Sequence, residues 1–448
     1  MRNLKIFTNN IEQSAKEQID LLLEQEAFKD CKIRIMPDVH AGAGCVIGFT
    51  GNLGDKVIPN IVGVDIGCGM LCVELGNIDL DLEKLDKIIR KYIPSGMNVH
   101  QENWEEYDKL LPNIGYEINK IDLKSLYCYK LLKNKDDYIE KSIGSLGGGN
   151  HFIEIDVDND GNKYLVIHTG SRNLGKQVAD IYQNKAIEYC SYKKEMQEEK
   201  NNIIKEYKKQ GREKEIQKAL IEIHKKYDGK TKLPKDLCYL EGKEREDYLH
   251  DMRICQKFAQ LNRNSIARII IKEYFELGNV VNLLDYNNKI KELWLLRKNN
   301  GIKATIDWGR CSISGQMPLF ESIHNYINFE DNIVRKGSIS ARNGEKVIIP
   351  MNMRDGCIIG IGKGNEDWNY SAPHGAGRTM SRNIAKQTLN MEDYKKSMNG
   401  IYTTSVNEET IDEAPMVYKP MEEIIEHIKD TIEVEKIIKP IYNFKASE

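Results

Sequence analysis

No stretch of the 448 residues approaches the roughly 20 consecutive apolar residues that a membrane-spanning helix needs. The opening MRNLKIFTNNIEQSAKEQID turns polar at once and lacks the apolar core and small-residue cleavage site of a secretory signal. A cytoplasmic protein that engages no membrane is expected. The ten cysteines include no CxxC pair and no regular spacing, which argues against a disulfide framework and leaves reduced thiols as the expectation. An excess of one charge is lacking too. The 65 Lys and Arg against 68 Asp and Glu give a net charge of -3, so there is no global basic footprint, although a local basic groove stays open. There is no Pro/Ser-rich linker and no repeat of fixed period. A chain of this length buries a sizeable core without disulfides or a partner.

Periodicity predicts a helix within residues 10–30, then short β-branched runs joined by glycines over 32–75. From 77 to 140 the chain is charged and helix-leaning, DLDLEKLDKIIRKYI being its clearest amphipathic piece, and it runs into the turn GSLGGGN at 144–150. Strands are expected at HFIEID and KYLVIHTGSR, and again after residue 300 at KATIDWG, KVIIP and CIIGIGKGN, before a helix near 420–433 and a short tail. The stretch 176–275 is the most helical. Its CSYKKEMQEEKNNIIKEYKKQGREKEIQKALIEIHKK reads as a solvated helical hairpin rather than a nucleic-acid contact. The whole is one compact α+β unit over 1–448 with a charged helical insertion at about 176–275.

The nine histidines divide by context. His100, His224 and His427 stand among charged residues and read as surface groups. His250 lies on an amphipathic helix, where packing and function are both open. His40, His151, His168, His324 and His374 stand on turns or strand ends, where catalytic groups tend to be displayed. Beside them, VGVDIGCGM places Asp65 three residues before Cys68, with Gly67 and Gly69 letting the backbone fold tightly enough for carboxylate and thiolate to face one metal ion. A buried cysteine acting as a small hydrophobe is the plainer alternative. A mixed Cys, Asp and His set suits zinc, manganese or iron better than calcium, and ligands so far apart in sequence favour a catalytic site with open positions. The turns GSLGGGN and HGAGR offer clustered backbone N–H groups for phosphate, with Arg172, Arg378 and Arg382 as charged forks. Neither matches GxxxxGK[ST] or GxGxxG. His374, between Pro373 and Gly375, is either a structural turn histidine or a nucleophile toward phosphorus.

From about residue 34 onward the motifs PDVHAGAGCVIG, VGVDIGCGM, LGGGNHFIE, IHTGSR, FAQLNR, HNY, NEDWNYSAPHGAGR and DEAPMVYK, in that order, make the chain resemble the RtcB RNA-splicing ligases. The resemblance implies a ligase that forms phosphoric ester bonds with GTP and two Mn2+ ions. It would join RNA ending in a 2′,3′-cyclic phosphate or 3′-phosphate to RNA beginning with a 5′-hydroxyl, in RNA repair or tRNA splicing. Asp65, Cys68 and His151 would hold one ion; Cys68, as a bridge, would hold the second with His168 and His324. His374 would form a histidine–GMP intermediate. Asn150, His151, Phe152, Ile153, Glu154, His324, Asn325, Pro350, Met351, Asn352, Met353, Cys357, His374, Gly375, Ala376 and Gly377 would line the GTP site, with Tyr418 and Lys445 on the guanine. Arg172, Arg378 and Arg382 would contact RNA phosphates. The turn PMNMRDGC at 350–357 departs from the family pattern, with Cys357 where a serine is expected, and the segment 77–140 is shorter than the family's. RNA end processing without sealing, a metal-dependent RNA-binding protein without catalysis, and an activating protein partner all stay open.

Overall fold

The structure is a computed structural model that describes residues 3–134, 137–275 and 319–446. The strand expected at KATIDWG lies outside the described residues.

One large antiparallel sheet carries the molecule. Its strands run Lys346–Asn352, Gly356–Gly362, Ile432–Lys445, Phe152–Val157, Lys163–Thr169, Gly69–Gly76 and Leu319–Ile323, and the two-residue strand Tyr402–Thr403 pairs parallel with Ile432–Lys445. The two edge strands meet, Ile348 N–H donating to Ser322 Oγ at 3.0 Å, so the sheet curls back on itself. Strand alternation explains why both faces are buried. In KYLVIHT, Leu165 and Ile167 join the main core, while Tyr164 and Val166 point to the inside of the curl with Met70, Cys72, Cys357 and Ile438. Burying each such aliphatic side chain stabilises the fold by roughly 1.5–3 kcal/mol.

Helices Leu82–Tyr92, Arg172–Tyr189 and Gly242–Phe275 pack on the outer face. The last is 34 residues long, and its segment from Ser265 to Lys272 is buried without interruption, the apolar residues by packing and Arg268 and Lys272 by pairing with Glu117 and the Leu110 carbonyl. The helical stretch 176–275 therefore divides. The hairpin Lys193–Lys209 and Ile216–Tyr227 is solvated as expected, with only Ile223 buried, whereas the helices on either side of it belong to the core.

A second sheet is ordered Leu4–Ile6, Ile33–His40, Ile47–Asn52, Ile333–Lys336, Asn325–Asn328. His324 is the single residue between strand Leu319–Ile323 of the first sheet and Asn325–Asn328 of the second. At the C-terminus the expected helix ends early, at Ile428, and the expected tail is the 14-residue strand Ile432–Lys445 in the middle of the main sheet. Its IEVEKIIKPIYNFK is rich in β-branched and aromatic residues, which favour a pleated, half-buried surface.

Candidate active site

Five strand ends of the main sheet converge on one edge. Register puts His168 beside both Met70 and Phe152, Gly69 beside Thr169 and Ile323, and Lys445 beside Phe152. Cys68 immediately precedes the Gly69 strand, His151 immediately precedes the Phe152 strand, and His324 immediately follows Ile323. Residues up to 259 positions apart in sequence are thus brought together at one sheet margin by strand pairing.

Two donor sets result, Asp65–Cys68–His151 and Cys68–His168–His324, each with its ligand atoms within 4.8 Å of one another and with Cys68 common to both. Cys68 Sγ lies 3.5 Å from His151 Nε2 and 3.3 Å from His168 Nε2; His151 Nε2 lies 2.9 Å from Asp65 Oδ2, and His168 Nε2 lies 3.3 Å from His324 Nε2. The outer nitrogens fix the tautomers of two rings. His151 Nδ1–H donates to Leu146 O at 2.9 Å and His168 Nδ1–H to Asn150 O at 3.1 Å, which leaves both Nε2 lone pairs facing inward. His324 Nδ1 is buried without a partner among the described residues. Sulfur, carboxylate and imidazole acceptors crowded together with few protons to share fit a cation and little else.

The electrostatics agree. Burial and the imidazoles around them drive His168 and His324 well below the ordinary histidine value, so both are neutral ligands at pH 7. Burial, with Asp65 adding to it, pushes the Cys68 thiol well up, a cost that a bound cation reverses. Burial also opposes ionisation of Asp65, but when His151 Nε2 carries a proton, as it does while no cation takes its lone pair, the hydrogen bond and charge of that ring outweigh burial and hold the carboxyl at about 2.

The loops are braced by side chains to which the sequence motifs gave no role. Arg263, fully buried, donates to Gly67 O at 2.7 Å and Thr169 O at 3.1 Å and pairs with Glu321. Asn262 Oδ1 accepts from the N–H groups of Gly144 and Ser145, and its Nδ2 donates to Gly170 O. Gly170 has no alternative, since a Cβ there would stand 2.2 Å from Asp65 Oδ1. His100, expected on the surface, is only 2 % exposed and meets Gly144 O at 3.3 Å, because a short charged segment folds it under the glycine turn.

Beside the donor sets opens a cavity lined by His40, Asn150, Phe152, Glu154, His168, Pro350, Met351, Asn352, Met353, His374, Gly375, Ala376, Gly377, Arg378, Arg382, Glu413, Tyr418 and Lys445. His374 donates Nδ1–H to Asp38 Oδ2 at 2.7 Å, and the same oxygen accepts its backbone N–H at 3.1 Å. Its Nε2 is left as a lone pair on the ring edge away from Asp38, and the ring stands 4.8 Å, centroid to centroid, from His324. Asp38, fully buried, was not singled out in the sequence: PDVH supplied it, but nothing in a linear chain links it to a histidine 336 residues away. At the far wall Tyr418 O–H donates to Glu413 at 2.6 Å, Arg382 pairs with Glu413 at 2.7 Å, and Lys445 is ion-paired with it as well. Burial disfavours the Glu413 charge, yet Lys445 and Arg382 hold its carboxyl at about 2.

Several expected residues stand elsewhere. Ile153 faces the main core on the opposite side of its strand, Asn325 Oδ1 accepts Gly337 N–H at 3.0 Å, and Cys357 lies inside the curl of the sheet; none of the three lines the cavity. Arg172 is committed to structure, donating to Gly96 O at 2.6 Å and Ser145 Oγ at 3.0 Å beneath the glycine turn. Arg378 and Arg382 do reach the cavity, already paired with Asp412 and Glu413.

Among the described residues no helix is long and apolar enough to cross a membrane. The chain is 29% identical to the RNA-splicing ligase RtcB of Escherichia coli (strain K12) over 450 residues, covering 96% of this chain and 94% of that protein. It is 24% identical to the tRNA-splicing ligase RtcB of Nanoarchaeum equitans, covering 90% and 85%, and 25% identical to that of Archaeoglobus fulgidus, covering 88% and 82%. The family model described as tRNA-splicing ligase RtcB matches residues 27–287 and 307–446. With the donor sets, the oriented histidine and this match over nearly the whole chain, the protein belongs to the RtcB family of RNA-splicing ligases and is a nucleic-acid ligase.

Proposed function

We propose that the protein seals RNA 2′,3′-cyclic phosphate or 3′-phosphate ends to 5′-hydroxyl ends, using GTP and a covalent His374–GMP intermediate. The observation that carries this reading is the orientation of His374: Asp38 holds Nδ1, so Nε2 offers its lone pair beside the shared-thiolate donor sets. In the first step Nε2 attacks the α-phosphorus of GTP, the bond to the β-phosphate oxygen breaks and pyrophosphate leaves. Asp38 offsets the charge that develops on the ring. A cyclic end is first opened by water to the 3′-phosphate. An oxygen of that phosphate then attacks the GMP phosphorus, breaking the N–P bond and freeing His374. Finally the 5′-hydroxyl attacks the activated 3′-phosphorus, GMP departs, and the hydroxyl proton is lost to solvent.

Two Mn2+ ions are assigned to the donor sets, one to Asp65, Cys68 and His151 and the other to Cys68, His168 and His324. Bound there, they supply neutralisation of triphosphate charge and polarisation of phosphorus. Asn150, Phe152, Glu154, Pro350 to Met353 and Gly375 to Gly377 are assigned to the nucleotide, Tyr418 and Lys445 to its base, and Arg378 and Arg382 to RNA phosphates.

The test is incubation with GTP labelled at the α-phosphate and manganese, followed by a denaturing gel and by a nicked RNA hairpin as substrate. An acid-labile label on wild type but not on His374→Ala, with a lengthened RNA strand, is expected. Label with a capped but unsealed RNA identifies an end-processing enzyme instead, and the absence of label removes the covalent step.

A further inference from the structure

Behind the wall of the cavity lies a second cluster of ligating side chains, of which the ligase reading uses only Glu154, at the cavity face. Glu154, Asp156 and Cys357 are all buried, and their ligand atoms lie within 4.8 Å of one another. Glu154 and Asp156 stand two apart on strand Phe152–Val157 and therefore share its inner face; Cys357 opens strand Gly356–Gly362 on the other side of the central strand Ile432–Lys445. Asp156 is 0% exposed, and among the described residues neither of its carboxylate oxygens has a well-formed hydrogen bond; the thiol of Cys357 is the polar group beside it. Glu154 has one partner, Asn443 Nδ2–H at 2.6 Å.

Two carboxyls and a thiol without a cation are costly in such a place. Burial drives Asp156 well above the carboxylate range, with Glu154 adding to it; burial lifts Glu154 to about 7; and burial, then Asp156 and Glu154, push the Cys357 thiol up. Lys445, the cation that bears on Glu154, is itself ion-paired with Glu413. A bare pair of buried carboxyls of this kind is stabilised either by shared protons or by a metal. The thiol favours the metal, because Cys357 occupies the position where the family pattern leads one to expect a serine, and a thiolate is a far better ligand for a borderline-soft dication than a hydroxyl.

We propose that Glu154, Asp156 and Cys357 form a divalent transition-metal site of zinc type, separate from the Cys68-centred donor sets. It ties the Phe152 and Gly356 strands together across the strand between them and fixes the Glu154 carboxylate at the cavity wall. Oxygen, oxygen and sulfur donors suit zinc, whereas magnesium or calcium would forgo the thiolate. Three protein ligands leave a fourth position for water.

The experiment is equilibrium dialysis of the full-length protein against zinc, with metal measured by elemental analysis, for wild type, Cys357→Ser and Asp156→Asn. The quantity read is the difference between wild type and variant, so it is independent of how many ions the histidine donor sets take. Each variant is expected to bind one ion fewer than wild type. With cobalt in place of zinc, Cys357→Ser should lose part of the sulfur-to-metal absorption while the part from Cys68 persists. Circular dichroism confirms that each variant is folded, and should Asp156→Asn not fold, the near-isosteric Cys357→Ser carries the test. Equal metal content in wild type and folded variants, with an unchanged cobalt spectrum, overturns the proposal and leaves the cluster as carboxyls sharing protons.

Discussion

Replacing Asp38 with asparagine tests the orientation of His374 without disturbing any donor to the metal sets. In the native protein one carboxylate oxygen accepts both the ring Nδ1–H, at 2.7 Å, and the backbone N–H of His374, at 3.1 Å, in a fully buried position. Asparagine can keep the backbone contact through its carbonyl oxygen. Because that one oxygen serves both N–H groups, the carbonyl keeps the ring contact as well; only with the amide flipped, and the backbone contact given up, does N–H face the ring and favour the tautomer with the proton on Nε2. Asparagine also withdraws the negative charge that balances the ring as the N–P bond forms. A charge-assisted hydrogen bond contributes about 1.5–3 kcal/mol, so a barrier increase of about that size, or ~10–10² in rate, is expected with the carbonyl in place, and a larger one where the amide flips. The assay is single-turnover transfer of label from GTP to protein, with thermal unfolding and bound metal measured in parallel. Slow labelling with unchanged metal content and near-native stability is the expected pattern. Labelling within about threefold of wild type would refute the claim that the Asp38 carboxylate assists His374, since even one lost charge-assisted bond should slow the step by tenfold or more.

Because Cys68 is common to both donor sets, Cys68→Ser should lower bound manganese by two ions, whereas His151→Ala should lower it by one; equal losses would mean that the thiolate is not shared. Glu413 has a folded value of about 2 against an ordinary 4.5, so its stabilisation is fully present above pH 4.5 and disappears as pH falls from there toward 2. By linkage this amounts to about 3 kcal/mol. Urea unfolding of wild type and Glu413→Gln should therefore show a gap at pH 7 that narrows below pH 4.5, and a gap that stays constant with pH would show that the charge is not responsible. Replacing residues 193–227 by a short turn should leave the fold and His374 labelling intact, because that hairpin buries only Ile223, and Lys232 N–H already closes its stem on Cys190 O at 2.9 Å. Loss of RNA sealing in a variant that still labels would show instead that the hairpin contacts RNA.

The candidate donors were legible because Cys68, His151 and His324 stand next to strand ends and beside glycine or asparagine, a local signature that survives in the linear chain, while Asp65 and His168 stand in the motifs VGVDIGCGM and IHTGSR. So were most cavity residues, since Asn150, Met353 and Gly375 to Gly377 belong to turns and Pro350 to Asn352 end the strand that leads into one. Ile153, expected at the nucleotide, turns its side chain into the main core for a simple reason. A run such as Asn150 to Glu154 reads as one surface in sequence, but a strand sends alternate side chains to opposite faces. Arg172 looked like a phosphate contact because a guanidinium after a glycine turn often is one, yet it folds back beneath its own turn to satisfy Gly96 O and Ser145 Oγ. The C-terminal strand was read as a tail because its alternation is irregular, with a bulge between Pro440 and Tyr442.

The sequence by itself determined the fold class and the family, and it pointed to the five candidate donors and to His374, because residue type and turn chemistry are local properties. Only the tertiary structure decided the rest. Asp38 behind His374, Arg263 and Asn262 bracing the loops, Glu413 gathering Tyr418, Arg382 and Lys445, and Asp156 beside Cys357 are all pairings between segments far apart in the chain. Strand register and the curl of the sheet, which no linear spacing encodes, set which side chains face one another and which buried charges are left to find a partner.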